Sequence, residues 1–291
     1  MAPIRGPARV WPGVAWQRAL GVFVIALAAT DAAGVEPSGD GAGGCLMDWR
    51  ESRVVAAAIN GDTVRLDNGM VVRLAGVEAP RPAPGAAGAD RWPPAVEAQR
   101  HLSQLVAGMA VVLSFTLAEP DRYGRRRAQI WLDDGRWLQG LVVAAGLARV
   151  RRYPGESDCL AALLAVENGA RTARLGLWAS PEYAVRRAGD PSLIERNGLY
   201  EVVEGRVESV GHGRTMVFVD FGRDYRRDFT IMLGPAVAGA LAEAGVEVDG
   251  LVGRRVRVRG VIEASGGPAI RLGDPGDLEF LDDGKDAGER D

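Results

Sequence analysis

Apolar positions in this chain alternate between a strand-like period of two and helical spacing, and turn signals mark each switch. Val54 to Ile59 reads as a strand, Gly61-Asp62 as a turn, and Thr63-Val64-Arg65-Leu66 as the next strand. Asp67-Asn68-Gly69 is a hairpin signal, and Met70 to Leu74 returns as a third strand. The Pro-, Gly- and Ala-rich stretch from Pro80 to Pro94 predicts a loop. Val96, Leu102, Leu105 and Val106 then fall at helical spacing, and Gly108 stops that helix. Ala110 to Leu117 and Gln129 to Leu132 predict two further strands, Trp137 to Ala145 a helix, and Cys159 to Gly176 a longer one. Three strands, a helix, two strands and two helices suit a five-stranded barrel with helices at its edge, a mainly β, α+β architecture.

The pattern then breaks. Residues 181–198 are polar and punctuated by Pro181, Gly189-Asp190-Pro191 and Asn197-Gly198, which predicts a linker. Strands follow at Val202–Val207, Met216–Val219, Phe229–Leu233, Val256–Ile262, Ala269–Leu272 and Leu278–Leu281, with a short helix at Pro235–Ala244. A turn is expected at Gly211-His212-Gly213. This predicts a second small β-barrel over residues 199–282, of the oligonucleotide-binding type, and a disordered tail over 283–291. Arg257 and Arg259 alternate with valines, as in either a solvated strand face or a groove that tracks phosphates.

Residues 1–34 read differently. Arg18 precedes the apolar run Ala19 to Ala29, which is short for a membrane span and fits a secretory signal, with Ala32-Ala33-Gly34 as a cleavage site. Removal of the run leaves no stable span and an exported, periplasmic or secreted protein; retention makes it an N-terminal anchor holding the protein outside the cytoplasm. Residues 35–49 form a Gly-rich tether. The two cysteines, Cys45 and Cys159, suit one disulfide in an exported chain and two thiols otherwise.

Charge narrows the partners. The whole chain is close to balanced at −3, which excludes a uniformly basic coat. Residues 50–180 carry 17 Lys and Arg against 13 Asp and Glu, a balance of +4, while residues 181–291 carry 15 against 21, a balance of −6. The first half is therefore the better match for a polyanion.

Candidate chemistry concentrates in three segments: Asn60-Gly61-Asp62-Thr63, Val72 to Pro80, and Asp121-Arg122-Tyr123-Gly124-Arg125. They place carboxylates and arginines at strand ends and turns. Carboxylates hold a hard divalent cation, and arginine's planar fork suits a phosphodiester.

These segments, with Gly146-Leu147-Ala148 and Gly176-Leu177-Trp178, resemble the thermonuclease (staphylococcal-nuclease-like) family in order and spacing over residues 50–180. The resemblance implies a calcium-dependent nuclease of DNA or RNA, with single strands favoured. It implies Asp62, Glu78 and the backbone carbonyl of Ala79 as metal ligands, and Arg73 and Arg125 as catalytic phosphate-binding arginines. Tyr123, Arg152 and Tyr153 fall where substrate is bound, with Arg149 and Arg151 beside the same pocket. Arg81 departs from the pattern, because the family carries its water-activating glutamate there. An arginine cannot accept that proton, and loss of a general base costs about 10²–10⁴-fold in rate. Glu97 and Asp90, on the following segment, are candidates to substitute. Two readings therefore stand: a slow exported nuclease, and a nuclease-like binding or envelope interaction module.

Overall fold

The computed structural model describes residues 50–81, 92–116, 119–153, 159–224 and 226–281. The predicted leader, the tether, the tail and Cys45 lie outside these residues.

The first half closes into a barrel of strands β1 (Arg50–Asn60), β2 (Thr63–Leu66), β3 (Val71–Leu74), β5 (Ala110–Phe115) and β6 (Arg126–Leu132). Their order around the barrel is β1-β2-β3-β6-β5, with β3 and β6 parallel and the other pairs antiparallel. β1 can serve both neighbours because register shifts between Val55 and Ala57 and between Ala58 and Asn60 bend it. The barrel is filled by alternating apolar side chains, among them Val55, Val64, Leu66, Val72, Leu74, Leu113 and Ile130. Three helices cover it: α1 (Pro93–Val106), α2 (Leu138–Ala144) and α3 (Leu160–Thr172). A small outer ribbon pairs β4 (Val77–Glu78) with β7 (Arg149–Val150).

α3 is shorter than the predicted helix. Arg174 takes a left-handed conformation at φ 53° and Leu175 N–H closes back on Ala170, after which Gly176–Ala179 forms a separate 3₁₀ turn. That turn brings the two glycine motifs together. Leu177 N–H donates to Gly146 O at 2.8 Å, and a Cβ on either Gly146 or Gly176 would collide with the other segment's backbone. These motifs serve packing.

The second half contains β8 (Arg186–Arg187), β9 (Tyr200–Arg206), β10 (Ser209–His212), β11 (Val217–Asp220), β12 (Thr230–Leu233), α4 (Pro235–Glu243), β13 (Arg255–Ser265), β14 (Gly267–Leu272) and β15 (Leu278–Phe280). The strands form one curled eight-stranded sheet in the order β10-β11-β12-β14-β13-β9-β8, with β15 paired to β13. It is a second β domain, as the alternation predicts, though among the described residues its path is not a closed five-stranded ring. The expected turn at Gly211-His212-Gly213 lies one step later, since Gly211 and His212 pair with Phe218 and Val217. Residues 181–198 do more than link. Arg186 and Arg187 extend the sheet alongside β9, while Tyr183, Ala188 and Leu193 are buried.

Candidate functional site

Gly61 fixes the start of the site. The Asn60-Gly61-Asp62 turn packs against α1 so closely that an added Cβ would meet Ala98 and Ala79. Asp62 N–H donates to Asn60 Oδ1 at 2.9 Å, and Leu74 N–H donates to Asp62 O at 2.9 Å, which pins Asp62 beside the end of β3. Its carboxylate is fully buried. Oδ1 accepts from Thr63 Oγ1 at 2.8 Å and Arg81 Nη2 at 3.0 Å. Oδ2 accepts from Arg81 Nη2 at 2.7 Å, Arg73 Nη2 at 3.1 Å and Ala79 N–H at 3.1 Å.

Glu78 lies on the outer ribbon, opposite Arg149 in register. It accepts from Arg151 Nη1 at 2.5 Å and faces Arg73 and Arg149, each at 3.9 Å. Tyr153 closes one side, with the Arg73 guanidinium 4.6 Å and that of Arg151 5.2 Å from its ring centre. Burial pushes the Tyr153 hydroxyl upward despite the pull of Arg73 and Arg151, so it is a neutral phenol at physiological pH. For Arg73, burial disfavours the charge, but Asp62, Tyr153 and Glu78 outweigh it and leave the pKa raised.

The cluster therefore contains four guanidiniums, from Arg73, Arg81, Arg149 and Arg151, against two carboxylates, a local balance of +2. Arg81 and Arg151 face its opening, with side chains 42% and 26% exposed, while Arg73 and Arg149 lie behind them.

Calcium takes six to eight oxygen ligands. Five donor contacts already occupy the lone pairs of Asp62, and Glu78 is engaged by arginine. Among the described residues no group of three or more His, Cys, Asp or Glu side chains could hold a metal ion. The residues in this arrangement do not fit a calcium ion. A guanidinium stands against Asp62, where the resemblance implies the cation. Glu97 is exposed on α1, and Asp90 lies outside the described residues.

The remaining predicted site residues separate into two places. Asp121 organises the loop before β6: Oδ1 accepts from the N–H groups of Tyr123 and Arg125, and Oδ2 accepts from Arg125 Nε at 2.9 Å and Nη2 at 2.7 Å. Arg125 is thus clamped by its own loop rather than by Asp62 or Glu78. Tyr123 is 66% exposed, with the Arg122 and Arg125 guanidiniums against its ring. Arg152 turns toward the second domain, where Nη1 meets Asp274 at 3.1 Å and Nη2 meets Asp277 at 3.0 Å. The structure brings together Asp62, Arg73, Glu78, Ala79, Arg81 and Tyr153, and leaves Arg152 outside that group. Cys159 is buried against Trp131 and Trp137.

The Asp121 clamp carries a pH signature. Partial burial raises this carboxyl's pKa, but hydrogen bonds from the Arg125 side chain and backbone and from Tyr123 outweigh it, so the folded value is lowered. A lowered carboxylate pKa contributes stability above the unfolded value, and that contribution is lost as pH falls through the folded one. The Tyr123 and Arg125 amide resonances should therefore titrate with a midpoint below the ordinary aspartate value of about 3.9. A midpoint at or above that value would reject the clamp.

Residues 71–180 match the family model described as staphylococcal nuclease homologue. No curated protein matches the chain. The match runs from β3 through the Gly176-Leu177-Trp178 turn, and the closed barrel with its helices agrees with it. The chain thus carries a staphylococcal-nuclease-like domain, followed by another β domain.

Proposed function

We propose that this protein binds single-stranded nucleic acid through the arginine cluster and does not use calcium to cleave it. The observation that carries this reading is Arg81 on both oxygens of Asp62. It fills the carboxylate the fold would offer a cation, and it removes the acceptor a water-activating residue must supply. What is left is a cradle with a balance of +2, lined by Arg73, Arg81, Arg149, Arg151 and Tyr153, facing a phosphodiester. The exposed Tyr123 on the neighbouring loop offers a face on which a base can stack. The apolar run after Arg18 supports action outside the cytoplasm. Among the described residues no helix is long and apolar enough to cross a membrane.

Calcium-dependent hydrolysis is the second reading. It is favoured by the exposure of Arg81, since a half-exposed ion pair is weakly held. Fluorescence anisotropy and gel analysis of a labelled single-stranded oligonucleotide, with calcium or with chelator, separate the two. We expect binding that weakens linearly in log–log form as salt rises, equal in calcium and chelator, with the oligonucleotide intact. Cleavage that needs calcium would overturn the proposal and establish the nuclease. Absence of binding at low salt would overturn both.

A further inference from the structure

We infer that the C-terminal sheet is part of the arginine cluster's working structure: it holds β7, and with it Arg149 and Arg151, in the orientation that faces Glu78 and a bound phosphate. The inference rests on the phosphate-binding reading above. Its starting point is Val150, the residue between the two arginines. The Val150 carbonyl accepts two hydrogen bonds from the second domain, from Tyr200 Oη at 3.1 Å and Arg259 Nη1 at 3.2 Å. The Val150 N–H donates to Glu167 Oε1 of α3 at 2.6 Å. Glu167 Oε2 in turn meets Arg259 Nη2 at 2.9 Å. Both backbone polar groups of Val150 are therefore fixed by one buried network that spans the two domains.

Tyr200 acts a second time through its ring. The guanidiniums of Arg149 and Arg151 lie 5.3 Å and 4.7 Å from the ring centre. A cation held over an aromatic face is stabilised and loses rotational freedom. Arg149 also lies 4.9 Å from the ring centre of Tyr183, from the segment that joins the domains. The residues that aim these two arginines thus come largely from outside the family-matched segment, which ends at residue 180. Close docking supports this arrangement. Arg152 reaches Asp274 and Asp277, and a Cβ on Gly276 would collide with Leu160 of α3. We assign Tyr200 and Arg259 as positioning residues, which act on the ligand through Arg149 and Arg151.

The test uses the full chain and a fluorescein-labelled oligothymidylate, with affinity measured across a salt series. Tyr200→Leu removes ring and hydroxyl, Tyr200→Phe keeps the ring, and Arg259→Lys keeps a cation beside Glu167 but gives up the fork that reaches Val150. We expect Tyr200→Leu to bind about tenfold more weakly, with the salt slope reduced by about one phosphate contact. Tyr200→Phe should restore most of that loss, and Arg259→Lys should show a smaller loss of the same kind. A role confined to stability would lower the melting temperature without changing the salt slope of the folded fraction. Wild-type binding together with unchanged affinity and slope in Tyr200→Leu and Arg259→Lys overturns this inference alone. Should Tyr200→Leu fail to fold, Arg259→Lys carries the same decision. A wild type that does not bind removes the phosphate-binding reading itself.

Discussion

Arg81→Glu should turn the Asp62 cluster into a calcium site. In the wild type, four guanidiniums face two carboxylates, and Arg81 covers both oxygens of Asp62. The substitution leaves three guanidiniums and three carboxylates, so the local balance falls from +2 to neutral and two lone pairs of Asp62 are released. Two charges a few ångströms apart interact by about 4 kcal/mol at an effective dielectric of 20. A change of two charges beside the site should therefore raise the calcium association constant by at least about a hundredfold. Isothermal titration with calcium measures this directly: negligible heat in the wild type, a one-site isotherm in the variant. Two further effects should accompany it. Without calcium, oligonucleotide affinity should fall and its salt slope decrease by about one contact. With calcium, the variant should melt at a higher temperature than without it, because the ion binds only the folded state. A folded variant that binds no calcium would mean that Arg81 is not what excludes the ion, and that Arg149 and Arg151 around Glu78 suffice.

Much of the barrel is readable from residue pattern because each signal there is local. The Asp67-Asn68-Gly69 hairpin, the Thr63–Leu66 strand and the stop at Gly108 all depend on neighbours in sequence, and all appear in the fold. Asp62, Arg73, Glu78 and Ala79 come together because strand register brings the start of β2 beside the end of β3. Residue type at position 81 is legible as a change of chemistry, but the bond it makes is not. That depends on a contact across 19 residues of chain. The second domain shows the limit more sharply. Arg257 and Arg259 alternate with valines and suggest a solvated face or a phosphate groove. Instead Arg259 is 1% exposed and paired with Glu167 and Glu279, and Arg257 with Glu204 and Glu279. Period two states that alternate residues share a face; it does not state what covers that face. For Arg259 the cover includes Glu167 and Val150 of the first domain, while Arg257 is held by acids of its own sheet. The same blindness hid the role of Arg152, which sits in a segment shared with site residues yet turns to Asp274 and Asp277. One weak signal was present: Glu167, the one acid of its helix, falls in line with Leu160, Leu163 and Leu164 at helical spacing, and a buried acid needs a partner.

That partner sets the second large effect, expected on stability. Glu167 and Arg259 are both fully buried as side chains and lie 2.9 Å apart. Burial disfavours the Arg259 cation, but Glu167, Tyr200 and Glu279 outweigh it and push its pKa well above the ordinary range, so it is charged at every accessible pH. Removing one partner of such a pair leaves an uncompensated charge in a low-dielectric interior and typically costs about 3–5 kcal/mol. Glu167→Leu should cost about 3 kcal/mol, the lower end of that range, since Arg259 keeps Glu279 at 2.7 Å and the Val150 carbonyl while Val150 N–H loses its acceptor. Arg259→Met should cost less, because Glu167 retains Arg171 at 3.4 Å and the Val150 N–H. The double variant Glu167→Leu/Arg259→Met should recover part of the loss, because an apolar pair of similar volume removes both desolvation penalties. Urea denaturation followed by tryptophan fluorescence reports the three values. Trp178 of the first domain, beside the Arg171 guanidinium, provides a probe close to the network. Additive losses in the double variant would show that the two charges do not stabilise one another, and that the domains are joined by Arg152 and the surrounding apolar packing instead. A recovered double variant would show that the ion pair contributes little net stability, and the salt slope of its oligonucleotide binding would then report whether the pair is needed to aim Arg149 and Arg151.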